Sequence, residues 1–369
     1  MELKNFNWGP GSFVIFYHLA LFILLPVYLM SRLPSASLIV LTIVFLFLSG
    51  MSISAGYHRY YSHRAYTPNK VVEFFLLFFA TMATQGSVIR WAYDHRMHHR
   101  FTDKEKDPHS IKKGFMYAHM LWIFEKPKPV EKDLIPDLIE NKMVMFQDRY
   151  YKTLLVITNA ISIVFSYFIT HDIFGAIVFA WLLRLFLMHH FTWFINSLAH
   201  TYGARTYSGE QSAVDNYLIA LVTFGEGYHN YHHVFASDYR NGIKWYHFDP
   251  SKWLIWSLSK LGFIKDMKKM NTYAIKRIMV LEDKRILLEK IKENNYIPKV
   301  TMEKKVHELS ESLVTKLSLI NSLSKKYWES KKVKDEAKTV RNQMREMKKS
   351  LNENWKAWTV LIKEIMSSA

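Results

Sequence analysis

The 369-residue chain has no cysteine. That excludes disulfides, thiolate zinc sites, iron–sulfur clusters and thiol nucleophiles, and it leaves the redox compartment open. No Rossmann glycine fingerprint and no haem attachment motif occurs, so electrons for any redox reaction must arrive from another protein. Acidic residues are the scarcer charge: 32 Asp and Glu against 49 Lys and Arg give a net charge of +17. Charged residues make up only 22% of the chain and hydrophobic ones 50%, values that suit neither a disordered nor a fibrous polypeptide. A basic soluble protein often binds nucleic acid. Here 25 Phe, 21 Tyr and 11 Trp lie among long apolar runs, which point to a lipid bilayer and away from nucleic acid.

Length permits two or three domains, and composition divides the chain once. Residues 264–369 carry 25 Lys/Arg and 14 Asp/Glu, whereas residues 1–263 carry 24 and 18. We therefore expect an apolar body over 1–269 and a charged helical extension over 270–369. A bilayer crossing takes about 20 apolar residues, and four runs qualify: 12–30, 35–55, 153–170 and 173–198. The first pair is joined at Ser31–Pro34 and the second at His171–Asp172, links short enough to make two helical hairpins. The run Val71–Ile89 is diluted by Glu73, Thr81, Thr84, Gln85, Gly86 and Ser87 and is expected to lie in the interface. Of the two short links only one holds a basic residue, Arg32. The positive-inside rule then puts the N-terminus, the middle segment and the C-terminus in the cytoplasm.

Seventeen histidines are present, and nine stand in four clusters. His58 and His63 belong to His-Arg-Tyr-Tyr-Ser-His. His95, His98 and His99 form His-Arg-Met-His-His, and His229, His232 and His233 form His-Asn-Tyr-His-His. His200 closes Asn-Ser-Leu-Ala-His, with Asn196 one helical turn before it. Positions i, i+3 and i+4 share a helix face, so each His-x-x-His-His can aim three imidazoles at one place. His58 and His63, five apart, fall off-face on an ideal helix, so one should sit at a helix end. Nine imidazoles exceed the four ligands of one structural zinc. They suit two transition ions, and ligand type leaves zinc, copper, iron and nickel open. A single histidine is usually a satisfied polar group; two His-x-x-His-His boxes and two further clusters at membrane ends are not explained by packing. A shared site also requires all four clusters on one side of the membrane, so Val71–Ile89 must not cross. His189 and His190 lie roughly 15 Å deeper at about 1.5 Å per residue and are expected to bond between helices.

These boxes, with Arg90-Trp91-Ala92-Tyr93-Asp94-His95 and Gly225-Glu226-Gly227-Tyr228-His229, resemble the integral-membrane fatty acid desaturases. The resemblance covers roughly residues 10–265. It is to the Δ9 acyl-CoA desaturase (stearoyl-CoA desaturase-like) branch, including its bacterial members; a bacterial source is expected, which would place the chain in the inner membrane. It implies an all-α membrane protein with four transmembrane helices, a cytoplasmic helical cap holding a di-iron site, and here a C-terminal helical extension. Carried over, His58, His63, His95, His98, His99, His200, His229, His232 and His233 match the iron ligands, and Asn196 the residue that approaches one iron through water. Lys112 and Lys113 resemble the basic pair near the CoA phosphates. Gln85, Trp91 and Trp193 stand where the branch lines the bend of its acyl tunnel. Tyr93 departs from an arginine common in the family, so no headgroup contact transfers there. Asp94 and Glu226, beside the boxes, are candidates for orienting imidazole N–H groups.

The resemblance implies O2-dependent desaturation of a saturated acyl chain, with two irons as cofactor and O2 as co-substrate. The resemblance leaves the acyl carrier open among CoA, acyl carrier protein and a membrane lipid, and implies a separate electron donor of the ferredoxin, cytochrome b5 or flavin reductase type. Two rival readings share these features: a di-iron fatty acyl or alkane hydroxylase, and a non-catalytic metal-binding membrane scaffold. In the extension, Val306, Leu309, Leu313, Leu317, Ile320 and Leu323 recur at helical spacing. They predict a helical hairpin, a coiled-coil dimer or a membrane-surface helix.

Overall fold

A computed structural model describes residues 6–294, 298–330 and 334–367. Among them, four helices are long and apolar enough to cross a membrane: Trp8–Ser31, Ala36–Ser62, Tyr151–Thr170 and Ile173–His200. Each hairpin link carries its own helix start. Ser35 accepts the Leu38 N–H, and Asp172 accepts the Gly175 N–H. Tyr28 donates to Asp172 at 2.7 Å, and Arg32 lies 3.7 Å from the same carboxylate. The two links are thus tied together at one end of the four-helix body, which leaves the histidine-bearing ends of the second and fourth spans at the other.

Val71–Ile89 does not form one helix. Lys70–Met82 is 13 residues long and is not among the helices able to span. The chain then reverses through Thr84 and Gly86, both at positive φ. Glycine adopts that conformation at no steric cost, and Ser87 caps the next helix, Val88–Phe101. A two-stranded antiparallel ribbon pairs Thr67–Pro68 with Ile264–Lys265. It holds the segment after the first histidine box against the segment that closes the body.

The chain divides into two compact units: residues 1–205 with 210–269, and residues 206–209 with 270–369. The second is a three-helix unit of Thr272–Glu293, Lys299–Ser330 and Lys334–Ser367. Val306, Leu313, Leu317 and Ile320 of the predicted stripe join Val280, Leu287, Leu351, Trp358 and Ile365 in one apolar core. Leu309 packs against its edge. The stripe thus serves a bundle within one chain.

Candidate metal centre

The first box depends on a helix that is not α. From Ser52 to Ser62 the second span continues as a π-helix, with i→i+5 hydrogen bonds. The His63 N–H reaches the His58 carbonyl at 3.2 Å, so the two residues are joined by such a bond. The wider turn brings positions five apart together, which an α-helix would not do; His63 is also the helix C-cap.

Both His-x-x-His-His boxes lie on helices, Val88–Phe101 and His229–Val234. Neither aims its three rings at one place, although the spacing allows it. The structure forms two groups: His58, His63, His95, His99 and His232, and His98, His200, His229 and His233. Within each, one nitrogen per ring lies within 4.8 Å of all the others. The i, i+4 pairs His95/His99 and His229/His233 stay together. The i+3 members, His98 and His232, cross to the other group. Successive helical residues diverge by about 100°, so His98 and His99 must face different centres, and each box contributes to both.

The geometry tests whether cations fit. His98 Nδ1–H donates to Asp107 Oδ1 at 2.9 Å, and His233 Nδ1–H to Gln211 Oε1 at 2.9 Å. Ser212 Oγ gives its proton to Asp103 at 2.5 Å, so it accepts from His200 Nδ1–H at 2.7 Å. With the Nδ1 proton directed outward, a neutral ring at His98, His200 or His233 leaves its Nε2 as a bare lone pair. Yet His98 and His233 Nε2 stand 3.3 Å apart, and His229 Nε2 is 3.0 Å from His200 and 3.1 Å from His233. One His229 proton cannot relieve all these approaches; a shared cation does. The five-ring group repeats the pattern, with Nε2 contacts His63–His95 at 2.8 Å, His58–His232 at 2.9 Å and His232–His99 at 2.9 Å.

Burial holds His63, His95, His99, His229, His232 and His233 well below the ordinary imidazole pKa, and the neighbouring imidazoles add to the effect. The rings are therefore neutral, the state that binds metal. Glu226 sits behind the first group, its Oε2 2.8 Å from His58 Nδ1. Burial alone would raise its pKa; His58 and Arg59 overcome this and keep it ionised. Arg59 is itself buried between Glu226 at 3.0 Å and Asp249 at 2.9 Å.

The other residues singled out from sequence divide. Asn196 lines a narrow cavity that reaches His58, His95, His98 and His229, and so touches both groups. Trp91 lines it too and donates to Gln85 Oε1 at 3.3 Å; Gln85 in turn donates to Thr192 at 2.8 Å, another wall residue. Trp193 does not line it. It turns into the core between the first and fourth spans and stacks on His189, while its neighbours Phe191, Thr192 and Ile195 form the wall. Asp94 bonds to Arg90 and not to an imidazole; one turn apart on a helix, the two satisfy each other. Lys112 and Lys113 are exposed in a short 3-10 turn, with Lys113 Nζ 2.9 Å from the Tyr117 hydroxyl. His189 bonds to Tyr17 and His190 to His18 and His119, all between segments distant in sequence. Sequence reasoning missed Asp107, Gln211, Ser212 and Asp103. Only Asp107 had a local signal, next to Pro108 and the buried His109; the others lie outside any box.

A family described as fatty acid desaturase matches residues 34–260, more than half of the chain. The chain is 38% identical over 256 residues to acyl-CoA desaturase 1 of Saccharomyces cerevisiae, a stretch covering 68% of this chain and 50% of that one. It is 39% identical over 255 residues to a probable acyl-CoA desaturase of Schizosaccharomyces pombe, covering 68% and 53%. With human stearoyl-CoA desaturase it shares 36% over 240 residues, covering 63% and 67%. The chain thus spans about half the length of the two yeast relatives. All three relatives are eukaryotic, so the bacterial affiliation expected from the sequence gains no support.

Proposed function

The chain belongs to the fatty acid desaturase family, and from that premise we propose that it is an acyl-CoA desaturase that places a cis double bond, at Δ9, in a saturated acyl chain. The reading is supported above all by nine imidazoles gathered into groups of five and four around lone pairs that only cations reconcile. Five nitrogens from His58, His63, His95, His99 and His232 would hold one iron. His98, His200, His229 and His233 would hold the second, with Asn196 beside them through a water. When bound, the iron pair supplies the O2-derived oxidising power needed to break an unactivated C–H bond, which no side chain can do.

The protein's own part is placement. Trp91 and Thr192 line the cavity and Gln85 bonds to both, and that wall would fix which methylenes face the histidines. Lys112 and Lys113, exposed, would meet the CoA phosphates as cations. Two hydrogens leave the acyl chain, and two electrons and two protons complete the reduction of O2 to two waters. The electrons come from a separate donor of the ferredoxin, cytochrome b5 or flavin reductase type. The histidine-bearing end of the body faces the cytoplasm by the positive-inside rule.

Expression in a host lacking its own desaturase, followed by mass spectrometry of total fatty acids, tests the reading. A new cis-Δ9 monoene is expected. A hydroxy acid would assign the site to a hydroxylase, and an unchanged profile from iron-loaded membranes supplied with donor would refute the enzyme.

A further inference from the structure

The family match ends at residue 260, and the three-helix unit that follows has no place in the chemistry above. Its apolar core runs along Lys299–Ser330 as far as Ile320 and along Lys334–Ser367 from Leu351, with Met347 at the edge. Asn354 bonds Ser312 across the pair, which fixes an antiparallel hairpin. Beyond that core, at about 1.5 Å per residue, ten residues of Lys299–Ser330 extend roughly 15 Å as a two-helix arm. Residues 321–350 hold ten Lys/Arg against four Asp/Glu.

Seven described cations of this arm are exposed and carry no ion pair among the described residues. Lys338, Arg341, Arg345 and Lys348 follow steps of three and four along one helix, a single stripe. All four are exposed, as are Lys349 and, on the partner helix, Lys325 and Lys326. Nearer the base of the unit some cations are paired: Arg285 with Glu282 and Glu289, Lys290 with Glu293, and Lys304 with Glu308. Close to the end of the arm, Trp328 is 66% exposed beside Tyr327. Aromatic rings with a polar edge settle at the boundary between water and lipid.

We propose that this arm docks on the anionic surface of the bilayer, the Lys338–Lys348 stripe meeting lipid phosphates and carboxylates while Trp328 enters the headgroup layer. A membrane favours this occupant over a soluble acid because the four spans keep one permanently within reach, so even weak cation–headgroup contacts act at high effective concentration. The stripe leaves the bundle core untouched, so charge rather than fold decides docking.

The absence of native cysteine makes the test direct. Asn342→Cys, one turn from Lys338, carries a nitroxide in the full-length protein reconstituted into nanodiscs. Collision with a water-soluble paramagnetic relaxant should fall several-fold when phosphatidylserine is added to phosphatidylcholine, and recover at high salt. It should stay high in the Lys338→Glu, Arg341→Glu, Arg345→Glu variant, whose altered side chains are all exposed. Equal accessibility in both lipid compositions would overturn the proposal. So would shielding by double-stranded DNA or polyglutamate in phosphatidylcholine discs with none from phosphatidylserine. The readout involves neither iron nor product, so its failure leaves the desaturase reading standing, and the reverse also holds.

Discussion

Ser212 shows how much a metal site depends on side chains that touch no metal. Its hydroxyl accepts a hydrogen bond from His200 Nδ1–H and donates its own to Asp103, which fixes the tautomer that turns the His200 lone pair inward. Ser212→Ala removes that acceptor, and a loss of about 10–100-fold in iron affinity is expected. Competition with a chelator on purified protein measures it; unchanged affinity would mean that packing alone orients the ring. Burial also sets a pH limit. His109 is lowered to about 3 and His247 to about 4, in each case chiefly by desolvation, from an ordinary 6.5. Folded protein refuses protons that the unfolded chain accepts below 6.5, so their contribution is complete above that pH and is lost as pH falls toward the folded values. The thermal midpoint of iron-free protein should therefore drop on acidification from about pH 7 to about pH 4, and a flat profile would contradict the assigned burial.

At the scale of elements, the spacing of the boxes was legible and the division of labour within them was not. His-x-x-His-His promised one helix face, and the helices formed, but a second centre on the far side draws off the i+3 member. Which side holds a second centre depends on partners from three other segments, and no local pattern encodes that. The first box was harder. Five-residue spacing looks wrong for an α-helix, and only the π-helix at Ser52–Ser62 makes it right; the cost of that turn is met by tertiary packing around a functional site. The helix carrying the second box depends on one cap. Ser87 accepts the Arg90 N–H and donates to Asp148 at 2.5 Å. Ser87→Ala should destabilise the protein by about 0.5–2 kcal/mol, read as a lower unfolding midpoint in detergent, and no shift would show that the helix start is held by other contacts.

On the scale of the whole molecule, the four spans, their two short links and the charged extension could all be read from composition, because a bilayer imposes a coarse, length-based code. The cavity wall was less legible. Trp91 lies in it, Gln85 only bonds to wall residues from behind, and Trp193 turns away, since one residue of helical rotation separates wall from core. Asp94 fails for a similar reason: adjacency in sequence to a ligand places a carboxylate about 100° around the helix from it, where Arg90 waits. What joins the scales is the convergence of four segments on two neighbouring clusters of imidazole. Iron per chain, determined by elemental analysis on the purified full-length protein alongside the His98→Ala, His232→Ala double variant, tests that convergence most directly. Two irons should be found in the native protein, with a marked loss in the variant although it still inserts into the membrane. Native protein without iron from membranes that make product, or a variant that keeps both ions, would contradict it.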